Sequence, residues 1–98
     1  MSISAEQLRA RVREILLRDW DPCDVGNNPR LSDEYDDDVL PQVMEMLQKA
    51  QMVQAAEIVA MLTHLERSEF GISLPQERRE AAARAILDAL ISLRRSTL

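Results

Sequence analysis

Residues 18–38 read RDWDPCDVGNNPRLSDEYDDD, and this stretch decides how the chain divides. It holds the chain's only Trp and only Tyr, both of its Asn, one of two Gly and two of four Pro. Pro22, Gly26, Asn27, Asn28 and Pro29 favour turns for different reasons: a fixed φ, a tolerated positive φ, and side chains that bond local amides. Pro22 also disfavours helix at Asp21, so a helix arriving from the N-terminal side ends near Asp19 or Trp20. Residues 21–37 are expected as one loop, of a length that is usually functional or disordered. Trp20, Val25, Leu31 and Tyr35 give it apolar pins, so an ordered loop packed over helices is expected.

Either side of this stretch, the apolar residues recur at helical spacing. Leu8, Val12, Ile15 and Leu16 share one face of a first helix, with Arg9, Arg11, Arg13 and Arg18 opposite. Ser4 and Gln7 have the form of a capping box, and Glu14 and Arg18 stand at a favourable i, i+4 spacing. A second helix carries Leu40, Val43, Met44 and Leu47. It starts between Ser32 and Asp38 with Pro41 in its first turn, or at Leu40 after a separate short turn. A third carries Ile58, Met61, Leu62 and Leu65, with Gly71 as its C-cap. A fourth carries Ala83, Ile86, Leu87, Leu90 and Leu93. No alternating strand pattern occurs. The reading is all-α: one domain over residues 1–98, a small bundle of four main helices at about 4–20, 38–50, 53–70 and 75–95, with one long acidic loop at 21–37.

Composition limits the function classes. The chain is 46% apolar with 3% aromatic residues, so its core is aliphatic and wholesale disorder is excluded. A lone Trp beside a helix end is expected to be largely buried, closing a small core. Cys23 is the single cysteine and allows no internal disulfide. The first residues meet charges too soon for a signal peptide, and no apolar run approaches the ~20 residues of a membrane span, so a cytoplasmic protein is expected. Net charge is −5, and residues 19–38 carry eight acids against Arg30 alone. Such a surplus repels phosphate backbones, which argues against nucleic acid as a partner.

Candidate chemistry is sparse. Placing Gly26 as an EF-hand glycine puts Cys23, Val25 and Ser32 where oxygen ligands belong, so the calcium pattern fails. An irregular cation site from Asp21, Asp24, Asp33 and Asp36 competes with a simpler role, carboxylates bonding backbone amides near turns. His64 is the only histidine, without a Cys or His companion at metal-ligand spacing. No Gly-rich phosphate loop exists, and neither cofactor nor metal is implied. A non-enzymatic chain is expected. Arg78, Arg79 and Arg84 read as solvated faces pairing with nearby acids, and the methionines as core filling.

The run Trp20-Asp21-Pro22, followed by Gly26, Pro29 and Asp33-Glu34-Tyr35-Asp36, resembles the signature of a family of small bacterial helical proteins. These share a Trp-Asp-Pro element after the first helix and an Asp-Glu-Tyr-Asp element before the second. The later Leu65-Glu66-Arg67-Ser68-Glu69-Phe70-Gly71, followed by an Ala/Leu/Arg-rich helix, is similar as well. Two places depart from the family: Cys23 and Asp24 stand where it commonly has an apolar residue and Gly, and Val39 where it often has Tyr. The resemblance implies a small helical fold and transfers no catalytic activity. By size, acidity and fold it points, as an analogy, to immunity proteins that neutralise bacterial toxins. On that reading Asp33, Glu34, Asp36, Asp37 and Asp38 would meet a basic toxin or nuclease domain, with Asp24 and Tyr35 as secondary contacts. Trp20, Asp21, Pro22, Gly26 and Pro29 would shape the loop. The alternative is a homodimeric regulatory or scaffold protein that buries a helix face.

Overall fold

The apolar spacing is realised as four helices. A computed structural model describes residues 5–27, 30, 33–49 and 53–96; Ser4, Asn28, Pro29, Leu31 and Ser32, named above, lie outside them. Helix α1 (Ala5–Ile15) continues into a π turn, Leu16–Trp20. Helix α2 spans Val39–Lys49, α3 spans Ala55–Leu65 and continues into a second π turn, Glu66–Phe70, and α4 spans Gln76–Ser96. No strand is found among the described residues. Helix α4 packs against both α1 and α3, and α2 closes the other side against the same two helices. The Cα radius of gyration, 13.0 Å, matches the ~13 Å of a compact chain of about 100 residues.

The expected stripes form the core. Leu8, Val12, Ile15 and Leu16 of the first helix are buried, as are Leu40, Val43, Met44 and Leu47 of the second. On α3, Ile58, Leu62 and Leu65 are buried while Met61 is half-buried at the edge; on α4, Leu87 and Leu93 are half-buried likewise. One expected surface pair does not form: the Arg18 guanidinium turns to its neighbour Asp19, at 2.9 and 3.1 Å, rather than to Glu14.

Helices α1 and α3 end in the same way, and this places the loop. After α1 the Asp21 amide donates to the Leu16 carbonyl at 2.8 Å, with Asp21 in the left-handed region at φ 42°. After α3 the Gly71 amide reaches the Glu66 carbonyl, with Gly71 at φ 64°. Glycine adopts that conformation without a Cβ penalty. Asp21 adopts it because its carboxylate bonds the loop locally, a route open to Asp and Asn. The two π turns bring Trp20 and Phe70 edge to face at 5.9 Å, and Tyr35 completes the triangle at 5.8 Å from each. All three aromatic residues of the chain therefore meet in one cluster.

Candidate functional site

The residues of the 18–38 stretch separate into a buried half and an exposed half. Asp21 anchors the buried half. Its Oδ1 accepts from the Val25 amide and from the Tyr35 hydroxyl, both at 2.8 Å, and the same hydroxyl accepts from the Cys23 amide at 2.8 Å. One side-chain pair thus closes the turn after Pro22 and ties it to the segment before α2. Burial pushes the Tyr35 phenol far above its ordinary value near 10, and the Asp21 carboxylate it bonds adds to the shift, so it stays a donor. Burial likewise raises the Cys23 thiol, aided by the nearby charge of Glu34, which leaves it a poor nucleophile.

Beneath the aromatic cluster lies a buried carboxylate. Glu66 is fully buried and receives four groups from three parts of the chain. The Trp20 indole donates to Oε2 at 2.9 Å and the Leu74 amide to Oε1 at 2.7 Å. Arg79 grips both oxygens, Nε to Oε2 at 2.8 Å and Nη2 to Oε1 at 2.9 Å. The guanidinium also reaches Gln76 Oε1, Ser73 Oγ and the Leu74 carbonyl, so this bidentate pair is fully furnished. Burial by itself would raise the Glu66 carboxyl, but Arg79, Leu74 and Trp20 outweigh it and hold it below the ordinary carboxylate value. Arg79 is thereby a correction: it is a buried ion-pair partner, not part of a solvated face. Its neighbour Arg78 bonds the Asp21 carbonyl at 3.2 Å, pinning the end of α1.

The exposed half carries the charge. Glu34, Asp37 and Asp38 face solvent, and among the described residues no cation lies within ion-pair distance of them. Gln42 Nε2 donates to the Asp38 carbonyl at 2.9 Å and approaches Glu69 Oε1 at 3.5 Å, so Glu69, not read as part of the acidic face in the sequence, joins it from the second π turn. Asp33 and Asp36 differ, because Arg13 of α1 holds both, at 3.3 and 2.9 Å. Asp33 therefore serves an arginine rather than an amide, and Asp36 is only about a quarter exposed, with its carboxylate turned to α1. Asp24 is exposed, in the left-handed region at φ 56°, and accepts from the Asn27 side chain.

Two expectations about contacts change accordingly. Tyr35 is 1% exposed and is unavailable to a partner, since its ring and hydroxyl are both used to build the loop. Asp36 is a tie to Arg13 before it is a contact. Asp21 closes the turn through its carboxylate and carbonyl, while Gly26 lies in a short 3-10 turn, Val25–Asn27. The irregular cation site does not assemble: among the described residues no three His, Cys, Asp or Glu side chains converge to hold a metal ion. A groove of about 530 Å³ between α1 and α4 mixes Arg11 and Arg18 with Glu14 and Asp88, so it offers no field of one sign. His64 is exposed on α3, remote in role from all these groups. No helix of the described chain is long and apolar enough to cross a membrane. No family model, curated protein or solved structure matches this chain.

Proposed function

We propose that this chain is a non-enzymatic protein-binding module that recognises a basic protein through the face formed by Glu34, Asp37, Asp38 and Glu69. The carrying observation is the division of labour in the 18–38 stretch. Trp20, Asp21 and Tyr35 are consumed in building the loop, whereas the charge of Glu34, Asp37 and Asp38 is left exposed and unneutralised among the described residues. The start of α2 accounts for part of that charge, because acids near a helix N-terminus gain ~0.3–1 kcal/mol each. It does not account for Glu69, which arrives from the end of α3, or for Glu34, which stands beside Cys23. Clustered exposed carboxylates speed encounter with a basic surface and reject acidic ones.

The finer reading is an immunity protein of the family resembled by the Trp-Asp-Pro and Asp-Glu-Tyr-Asp elements, bacterial and cytoplasmic. It would neutralise a toxin domain by setting carboxylates where a nuclease expects phosphates. The homodimer alternative needs a broad exposed apolar face. Among the described residues the exposed large apolar side chains are Ile72 and Ile91, which gives it little support.

The test is affinity capture from a lysate of the source organism, wild type beside E34Q/D37N/D38N, read by mass spectrometry. A basic protein held by the wild type and lost by the variant supports the reading. Rescue of cell growth when that protein is co-expressed with the wild type supports the immunity role. Capture of the same proteins by both forms, or of the chain itself alone, rejects the acidic face as the binding surface.

A further inference from the structure

Helices α1 and α3 are built on one template. Each runs for 11 residues, continues into a five-residue π turn and is closed by a left-handed residue. Leu8, Val12 and Ile15 hold on α1 the places that Ile58, Leu62 and Leu65 hold on α3, and all six are buried. Trp20 and Phe70 end the two π turns and touch each other. Helix α4 lies against both. Two interchangeable helices allow a competing bundle in which they trade seats around α4. Apolar burial separates the two packings poorly, because the exchanged side chains are similar in size and kind.

The template breaks at one fully buried position. Where the π turn after α1 has Leu16, the π turn after α3 has Glu66, and neither is exposed at all. In the observed packing Arg79 of α4 meets Glu66 with two hydrogen bonds. With the seats exchanged, Arg79 would face Leu16, and Glu66 would be buried without its guanidinium. A buried charge without a partner is strongly unfavourable, whereas a satisfied buried pair adds little net stability over apolar residues. We infer that the Glu66–Arg79 pair is a registry device: it selects which of the two like helices occupies the seat beside Ser73–Arg79. It discriminates between packings more than it stabilises either one.

The test is E66Q/R79M, which removes both charges and keeps one acceptor, for either the Trp20 indole or the Leu74 amide, which bond different oxygens of Glu66. The expected result is retained helical content with a second Trp20 indole N–H resonance, at about one-tenth or more of the main intensity. Cross-peaks from position 79 to Leu16, in place of those to position 66, identify the exchanged bundle. A single resonance with wild-type cross-peaks overturns the inference. Loss of helical content overturns it too, because the pair would then be a stabiliser and not a selector.

Discussion

Replacing Tyr35 with Phe separates the oxygen's role from the ring's. The ring keeps its contacts with Trp20 and Phe70, each at 5.8 Å. What disappears is one oxygen that accepts from the Cys23 amide and donates to Asp21 Oδ1, both at 2.8 Å. The Asp21 oxygen keeps the Val25 amide, so it is under-satisfied rather than stripped. Hydrogen bonds to charged groups contribute about 1.5–3 kcal/mol, and an orphaned buried group costs about 1–3 kcal/mol. The half-buried Cys23 amide can recruit water, which places the total near 2–3 kcal/mol by the same figures. For a domain of this size about 4–8 °C of melting temperature accompanies each kcal/mol, so a fall on the order of 10–20 °C is expected. Thermal and urea melts followed by circular dichroism measure it. A change under about 0.5 kcal/mol, the scale of an ordinary surface substitution, would refute the role given to this hydroxyl. Alkaline pH supplies an independent check. The unfolded phenol ionises near its ordinary value of 10, while the buried one stays protonated. The folded state then binds more protons, so wild-type stability falls as pH rises through 10, and the Phe variant lacks that component.

Glu66→Ala breaks a buried ion pair and strands Arg79, with an expected loss of about 3–5 kcal/mol in urea melts. Because the folded Glu66 carboxyl lies below its ordinary 4.5, its contribution is present above that pH and is lost as pH falls through the folded value. Melts at descending pH should show wild type losing stability there and a Glu66→Gln variant losing less. Gly71→Ala meets no atom within 4 Å of the new Cβ, so only the left-handed backbone at φ 64° resists it. The expected cost is about 1 kcal/mol, read from the shift in urea midpoint. E34Q/D37N/D38N is expected to lose at most about 2 kcal/mol, the helix N-terminus contribution of Asp37 and Asp38 just before α2, since these side chains are exposed.

Much of the fold was legible because helices advertise themselves through period. The stripes on the four helices, the stop at Trp20 and the cap at Gly71 all follow from local rules: apolar spacing, the residue before Pro22, and glycine's freedom at positive φ. The sequence could not place Arg79. An arginine among charged neighbours at the start of a helix looks solvated, and only the approach of α3 brings Glu66 within reach. Tyr35 was misassigned as a contact for a related reason. Its neighbours Asp33, Glu34, Asp36 and Asp37 are all acids, yet the backbone turns its ring inward to meet two aromatics that lie 15 and 35 positions away along the chain. Glu69 was not read as part of the acidic face because it belongs to another helix end altogether. A usable signal existed for part of this: three aromatics in a chain of 98 residues, each next to a helix terminus, are candidates for one shared cluster.

The central claim is that exposed acids recruit a basic partner while the buried half of the stretch only builds the loop. Association kinetics against the captured partner test it most directly, for wild type and E34Q/D37N/D38N, from about 0.05 to 0.5 M salt. Steering by this face requires the wild-type association rate to fall steeply with salt, and the variant to associate several-fold more slowly at low salt with a flatter dependence. Equal rates and equal salt slopes for the two forms would contradict the account.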